Sequence, residues 1–193
     1  MSRLRKTVAE RLKESQNTNA QVTTMQEIDM SEIMRIRKDL GEDFVNRHGV
    51  KLGFMSFFVK AVTRALQERP IVNSVIQGNE IIHRNYIDIS VAVSSPKGLV
   101  VPVLRDCELL SFADVEKSLS DLAKKASNGQ LAIEDMTGGT FTISNGGIFG
   151  SMLSIPIINP PQTAVLGMHN IVNRPVVRGD QIVARPIMYV SMS

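Results

Sequence analysis

Apolar residues recur along this chain at two periods, and the change between them divides it into helices and strands. Leu4, Val8 and Leu12 stand four apart among Arg3, Arg5, Lys6, Arg11 and Lys13, which predicts an amphipathic first helix with a solvated basic face. Thr18 to Met30 reads as extended. Asp29, with Glu32 three positions on, gives a cap-like start to a second helix reaching Asp43 and buried through Ile33, Ile36, Leu40 and Phe44. A third helix, Phe54 to Gln67, is apolar on most sides and ends ahead of Pro70, so it is expected deep in the domain. Ser111 and Asp114 cap a fourth, with Phe112, Val115, Leu119 and Leu122 on one face.

A period of two marks the strands. Val72–Ile76 and Glu80–His83 flank Gln77-Gly78-Asn79 as a hairpin, and Ile87, Ile89, Val91 and Val93 alternate with Asp88, Ser90, Ala92 and Ser94. Leu99–Val103, Thr140–Ser144, Thr163–Met168 and, after Arg178-Gly179-Asp180, Ile182–Met192 complete a sheet of about six or more strands. Helices alongside a mixed sheet make this an α+β chain, an α/β sandwich with the helices packed on one side.

Composition narrows the class without choosing a function. At 193 residues, 43% hydrophobic and 21% charged, the chain is long enough for one sizeable core, and residues 1–193 read as one domain. Its apolar runs are far shorter than the roughly 20 residues a membrane span needs, and no secretory signal opens it. A net charge of +3 and a pI near 9.2 suit an anionic ligand. Aromatics at 5%, with no basic stripe between stacking rings, argue against nucleic acid. The single cysteine, Cys107, fits a reducing compartment and reads as an ordinary core or surface thiol rather than a reactive one. No cluster has metal-ligand spacing, and no phosphate-binding glycine motif occurs.

The most informative segment is Gly138-Gly139-Thr140-Phe141-Thr142-Ile143-Ser144-Asn145-Gly146-Gly147. A short strand with hydroxyls at alternate positions opens into a glycine-permissive turn, where backbone can approach a ligand and Ser144 presents its hydroxyl. Such a hydroxyl can be a nucleophile, a substrate anchor or an oxyanion donor, and the local sequence does not choose. Asn159-Pro160-Pro161 fixes a rigid turn downstream. Met152, Met168 and Met188 read as core fillers, and His48 and His83 as structural histidines.

These segments resemble a known family. Ser2-Arg3-Leu4-Arg5-Lys6-Thr7-Val8-Ala9, Glu27-Ile28-Asp29-Met30, Lys51-Leu52-Gly53-Phe54-Met55-Ser56, Gly98-Leu99-Val100-Val101-Pro102-Val103, the Ser144 segment, Pro156-Ile157-Ile158-Asn159-Pro160-Pro161-Gln162 and Gly167-Met168-His169 are similar, in order, to the dihydrolipoyl acyltransferase catalytic domains of the 2-oxo acid dehydrogenase complexes. Among these the likeness is to the succinyl-transferring members.

The resemblance implies a chloramphenicol-acetyltransferase-like fold and the transfer of an acyl group between a dihydrolipoyl thiol and coenzyme A, within the tricarboxylic acid cycle. It implies a lipoyl group carried by a separate lipoyl domain, no metal, and a homotrimer building a core of about 24 subunits. Its partners would be 2-oxoglutarate dehydrogenase and dihydrolipoamide dehydrogenase, in the mitochondrial matrix or a bacterial cytoplasm. Ser144 takes the family's oxyanion-donor position. The family's catalytic histidine and aspartate fall beyond Ser193, so the 193 residues alone are expected to be inactive. Arg37, Gly53, Ser94, Ser144, Asn145, Ile148, His169 and Ile171 match coenzyme A-binding positions. Ser151 and His169 fall near the acyl end, where they would donate to a succinyl carboxylate, with packing the other role open to His169. Ser94 stands where acetyl- and branched-chain members have an aspartate, so their orienting ion pair is not expected here. Two other readings stay open: an oligomeric scaffold without its own base, and an acyltransferase of the same fold acting on a small hydroxylated acceptor.

Overall fold

The structure, a computed structural model, describes residues 3–96 and 98–193, and for Arg3 and Leu4 it describes the backbone alone. Expectations resting on Met1, Ser2 and the Leu4 side chain therefore lie outside the described residues. In order come α1 (Arg3–Thr18), β1 (Thr24–Asp29), α2 (Ser31–His48), α3 (Met55–Glu68), β2 (Ser74–Gln77), β3 (Glu80–His83), β4 (Ile89–Val91), β5 (Val93–Ser95), β6 (Gly98–Val100), β7 (Val103–Leu104), α4 (Phe112–Ser127), β8 (Phe141–Asn145), β9 (Val165–Arg178) and β10 (Gln181–Met192).

Six strands form one sheet in the order β1-β10-β9-β8-β4-β7, with β2-β3 and β5-β6 as separate hairpins. Strand β8 runs parallel to both β4 and β9, and the other pairs are antiparallel, so the sheet is mixed. One face presents Ile89, Val91, Ile143, Met168, Met188 and Val190 to Phe58, Val59, Val62 and Leu66 of α3 and to Val115 and Leu122 of α4. Each such side chain contributes about 1.5–3 kcal/mol by leaving water, which makes this layer the main source of stability. The helices α3 and α4 thus lie on one side, as the α+β reading expects. Helix α1 and the residues after it instead reach the loop 151–163: Ser15 Oγ donates to Ile158 O at 2.6 Å, and Gln21 Nε2 to Pro156 O at 2.9 Å.

Several expectations are corrected. Thr18–Met30 is extended only from Thr24, because α1 runs to Thr18. The expected cap of α2 does not form. Asp29 Oδ1 accepts from Ser31 N at 3.0 Å, but Glu32 turns outward to Arg35, and Met30 occupies the cap position. None of the side chains of α2 is fully buried and Leu40 is exposed, since the helix covers only a margin of the sheet. On α1, Val8 and Leu12 are also exposed, and among its described side chains Ser15 is the buried one. The cap of α4 forms as expected: Ser111 Oγ accepts from Asp114 N, and Asp114 accepts from Ser111 N. The run 87–93 breaks at Ala92 and 99–103 breaks after Val100, so their ends pair as the β5-β6 hairpin outside the main sheet.

The alternation from Ile87 to Val93 also misleads about burial. Asp88 and Ser90 are as buried as their apolar neighbours, because the sheet's second face is covered too. Gln162, from the loop 151–163, bonds Thr142 Oγ1 and Gly139 O there, and lies 3.3 Å from Ser90 Oγ. Asp88 accepts from Arg105 Nη1 at 2.8 Å and from Asp106 N at 2.9 Å. Met168 and Met188 fill the core as expected, whereas Met152 is exposed on that loop.

Candidate functional site

The ladder between β9 and β10 shifts register: Met188 pairs with Ile171, but Val190 pairs with Met168. Two residues of β9, His169 and Asn170, therefore oppose Tyr189 alone, which is a β-bulge. Three groups at the bulge find partners outside the β9–β10 backbone ladder. His169 Nδ1 lies 2.9 Å from Tyr189 O; Asn170 N donates to Ser151 O at 2.9 Å; Gly146 N donates to Met168 O at 2.9 Å. The turn 146–151 that follows β8 is thus docked onto the bulge. A Cβ on Gly147 would fall 2.5 Å from the His169 carbonyl oxygen, so the approach admits only glycine. Asn145 Oδ1 accepts from Gly147 N at 3.0 Å and closes the turn.

This arrangement assigns His169 a role. Ser154 N donates to its Nε2 at 2.8 Å, so Nε2 is an acceptor, and the proton sits on Nδ1, donated to Tyr189 O. Both ring nitrogens are engaged and the ring is buried, which leaves no free N–H for a carboxylate. Of the two roles open to His169, these contacts support packing, in which the imidazole staples the bulge.

A cavity of about 640 Å³ opens where the turn meets the helices, bordered by Gly53, Phe54, Ser94, Glu116, Asn145 and Ile148 among others. Glu116 Oε1 accepts from Gly53 N and Ser56 N, at 3.0 and 3.2 Å, and so anchors the start of α3 at its wall. Arg37 holds its guanidinium carbon 3.8 Å from the Phe54 ring centroid and donates from Nε to Leu52 O. A second cavity of about 310 Å³ shares Phe54, Asn145 and Ile148 with the first and continues to Gly147, Met168, His169 and Ile171. The structure therefore brings Gly53, Ser94, Asn145, Ile148, His169 and Ile171 to the walls of two adjoining cavities, with Arg37 one ring away.

Ser144 lies on the other face of the sheet. Successive strand residues point to opposite sides, so Asn145 borders the cavity while Ser144 faces the side covered by the loop 151–163. It pairs with Gly167, which pairs in turn with Ser191, giving a row across β8, β9 and β10. A Cβ on Gly167 would sit 2.6 Å from Ser191 Oγ, and that fully buried hydroxyl has no hydrogen-bond partner among the described residues. Ser151 joins the site through its backbone, with its N–H donating to Gly146 O at 3.2 Å.

The remaining candidates are structural. His83 Nδ1 lies 2.7 Å from Ser74 Oγ, and the His48 ring centroid is 4.7 Å from that of Phe44. Cys107 is fully buried, and burial pushes its thiol up to about 12, far from the range of a reactive thiolate. Sequence reasoning missed Glu116 and carried Phe54, Gly147 and Gly167 only within quoted motifs, without a role of their own. Only the glycines left a signal, as small residues inside or beside strands.

The whole chain, residues 1–193, matches the family described as 2-oxoacid dehydrogenases acyltransferase (catalytic domain). It is 56% identical over 193 residues to the Arabidopsis thaliana dihydrolipoyllysine-residue succinyltransferase component of 2-oxoglutarate dehydrogenase complex 1, mitochondrial, covering 100% of this chain and 42% of that protein. The chain thus spans less than half the length of such curated relatives. Among solved structures, the cubic core of the pyruvate dehydrogenase multienzyme complex aligns with a TM-score of 0.95 at 31% identity, over 100% of this chain and 79% of that one. A chloramphenicol acetyltransferase aligns with a TM-score of 0.55 at 16% identity, over 95% and 83% of the two chains, a likeness of fold alone.

Proposed function

The chain belongs to the catalytic domains of the 2-oxoacid dehydrogenase acyltransferases, and from that membership we propose that it moves a succinyl group between a dihydrolipoyl-lysine arm and coenzyme A. The observation that carries this reading is the meeting of Gly53, Ser94, Asn145 and Ile148 around one cavity of about 640 Å³, at the end of the strand that bears Ser144. The volume suits a cofactor-sized ligand, and its lining is mostly apolar with a few placed polar groups. Arg37 supplies positive charge at its margin for a phosphate.

In the proposed reaction a base removes the proton from the attacking thiol of coenzyme A. The thiolate adds to the thioester carbonyl, and the carbonyl oxygen becomes an oxyanion. Ser144, on the sheet face away from that cavity, is proposed to donate a hydrogen bond where that charge develops, which requires the thioester to reach that face. Collapse expels the dihydrolipoyl thiolate, which takes the proton back from the base. The three histidines present are engaged elsewhere, His169 and His83 in hydrogen bonds and His48 against Phe44. The base is therefore proposed to come from outside these 193 residues, in the role the family gives to a histidine. A homotrimer within a larger core would let a neighbouring copy supply it. The lipoyl arm is proposed to arrive on a separate domain, with 2-oxoglutarate dehydrogenase and dihydrolipoamide dehydrogenase as partners, in the mitochondrial matrix or a bacterial cytoplasm.

Calorimetric titration of coenzyme A tests the site. Ile148→Glu, at an exposed position on the cavity wall, should weaken binding by tenfold or more, while Ser144→Ala should leave binding nearly unchanged and lower succinyl transfer in the assembled complex by about 100- to 1,000-fold. Unaltered affinity in Ile148→Glu would place the ligand elsewhere, and undiminished turnover in Ser144→Ala would remove the hydroxyl from the reaction.

A further inference from the structure

Arg174 and Arg185 stand directly opposite each other in the β9–β10 ladder. Residues paired this way project to the same face with their Cβ atoms about 4.5–5.5 Å apart, and like charges so placed repel. Neither guanidinium has a hydrogen-bond or ion-pair partner among the described residues, and the Nε of each is buried and unpartnered. Four other arginines show the contrast: Arg35, Arg64, Arg105 and Arg178 are each bridged to a carboxylate. Tyr189, on the same face of β10, lies under Arg174 with the guanidinium carbon 5.0 Å from its ring centroid, which holds one of the two forks in place.

The acids that the register of β1 brings to this face do not answer the charge. Asp29, opposite Ile187, is committed to Arg178 Nη2 at 2.9 Å and to Ser31 N; Glu27, opposite Tyr189, makes no ion pair with either arginine. A guanidinium offers Nε–H and Nη–H as a planar fork that fits two oxygens of one oxyanion. Two forks side by side carry two positive charges, which a dianion balances and a single carboxylate does not. The pair lies about 20 Å along β10 from Ser191, at 3.4 Å per residue, and on the sheet face opposite the 640 Å³ cavity, so it is separate from the site already described.

We propose that Arg174 and Arg185 form a binding site for one phosphate group, free or esterified, on the β9–β10 hairpin. The proposal does not depend on acyl transfer, and its test reads binding alone. Inorganic phosphate and methyl phosphate would be titrated calorimetrically at low ionic strength into the protein and into its Arg174→Gln, Arg185→Gln and doubly substituted forms. One phosphate should bind per chain, each single substitution should weaken it by tenfold or more, and succinate should bind more weakly than phosphate. Methyl phosphate binding as well as the free ion supports an ester as the ligand; binding of the free ion alone supports inorganic phosphate. Phosphate should raise the melting temperature of the parent protein and not that of the double variant. Without phosphate, each single variant should melt no lower than the parent, because a like-charge contact has been removed. The variants Arg174→Lys and Arg185→Lys keep the charge but lose the fork, and should bind with intermediate strength. Absence of saturable binding, or equal binding by the double variant, would overturn the proposal. So would a double variant that binds phosphate as the parent does and loses only self-association, since the arginines would then serve a carboxylate of a second copy.

Discussion

His169 illustrates how a single ring can be fixed by what surrounds it. With Ser154 N–H on Nε2 and Tyr189 O on Nδ1, it satisfies a carbonyl that the bulge removes from the ladder and an N–H of the covering loop. Replacing it with alanine leaves both unpaired beside a new void, and should cost about 2–4 kcal/mol of stability in a urea denaturation series. Rates with succinyl and acetyl donors should fall together; a loss confined to succinyl donors would restore the carboxylate-recognition role. Cys107 gives a second test at this scale. Its thiol is raised in the folded state from 9.0 to about 12 by burial. Its contribution is therefore fully present below pH 9 and is lost as pH rises from 9 toward 12, by about 1.4 kcal/mol per pH unit. Denaturation midpoints at pH 9, 10 and 11 should decline more steeply in the parent protein than in Cys107→Ala, which cancels the other groups titrating there.

Among the elements, the turn 146–151 has the most leverage for its size. It is attached to β9 by two backbone hydrogen bonds and by the bare approach of Gly147 to the His169 carbonyl. Gly147→Ala places a methyl carbon where backbone already stands, so the turn must shift, carrying Asn145 and Ile148 with it. Coenzyme A affinity is expected to drop by tenfold or more, while far-ultraviolet circular dichroism stays that of the parent. Retained affinity would mean that the turn can slide without disturbing the cavity wall. The helix α4 is braced in the opposite manner, by a capping box that the spacing Ser111 to Asp114 announces locally.

At the scale of the whole molecule, the two faces of the sheet differ in what covers them. The face against α3 and α4 is closed by apolar packing, whereas the loop 151–163 covers the other with hydrogen bonds and turns Met152 and Ile155 outward. Phe149 is 70% and Ile148 63% exposed, and two adjacent large apolar side chains so exposed gain by burial against another copy. Phe149→Glu should shift sedimentation toward smaller species without lowering the unfolding midpoint of the subunit. If the distribution of species is unchanged, the apolar turn is not part of the assembly contact.

The sequence by itself determined which segments became helices and strands wherever the cue was local: the period of α3, the box that starts α4, the turn at Gly179-Asp180 and the hydroxyl-bearing strand ending at Ser144. These depend on residues within one or two turns of one another. It also carried the family likeness, because several motifs keep their order along the chain. What only the tertiary structure decided were features set by non-local partners. Whether Asp88 and Ser90 face water depends on Gln162 and Arg105 arriving from elsewhere. The role of His169 depends on a register shift between strands, which no local pattern encodes. Likewise, the standing of Arg174 opposite Arg185 follows from hairpin register, and a slip of one residue would have sent the two charges to opposite faces.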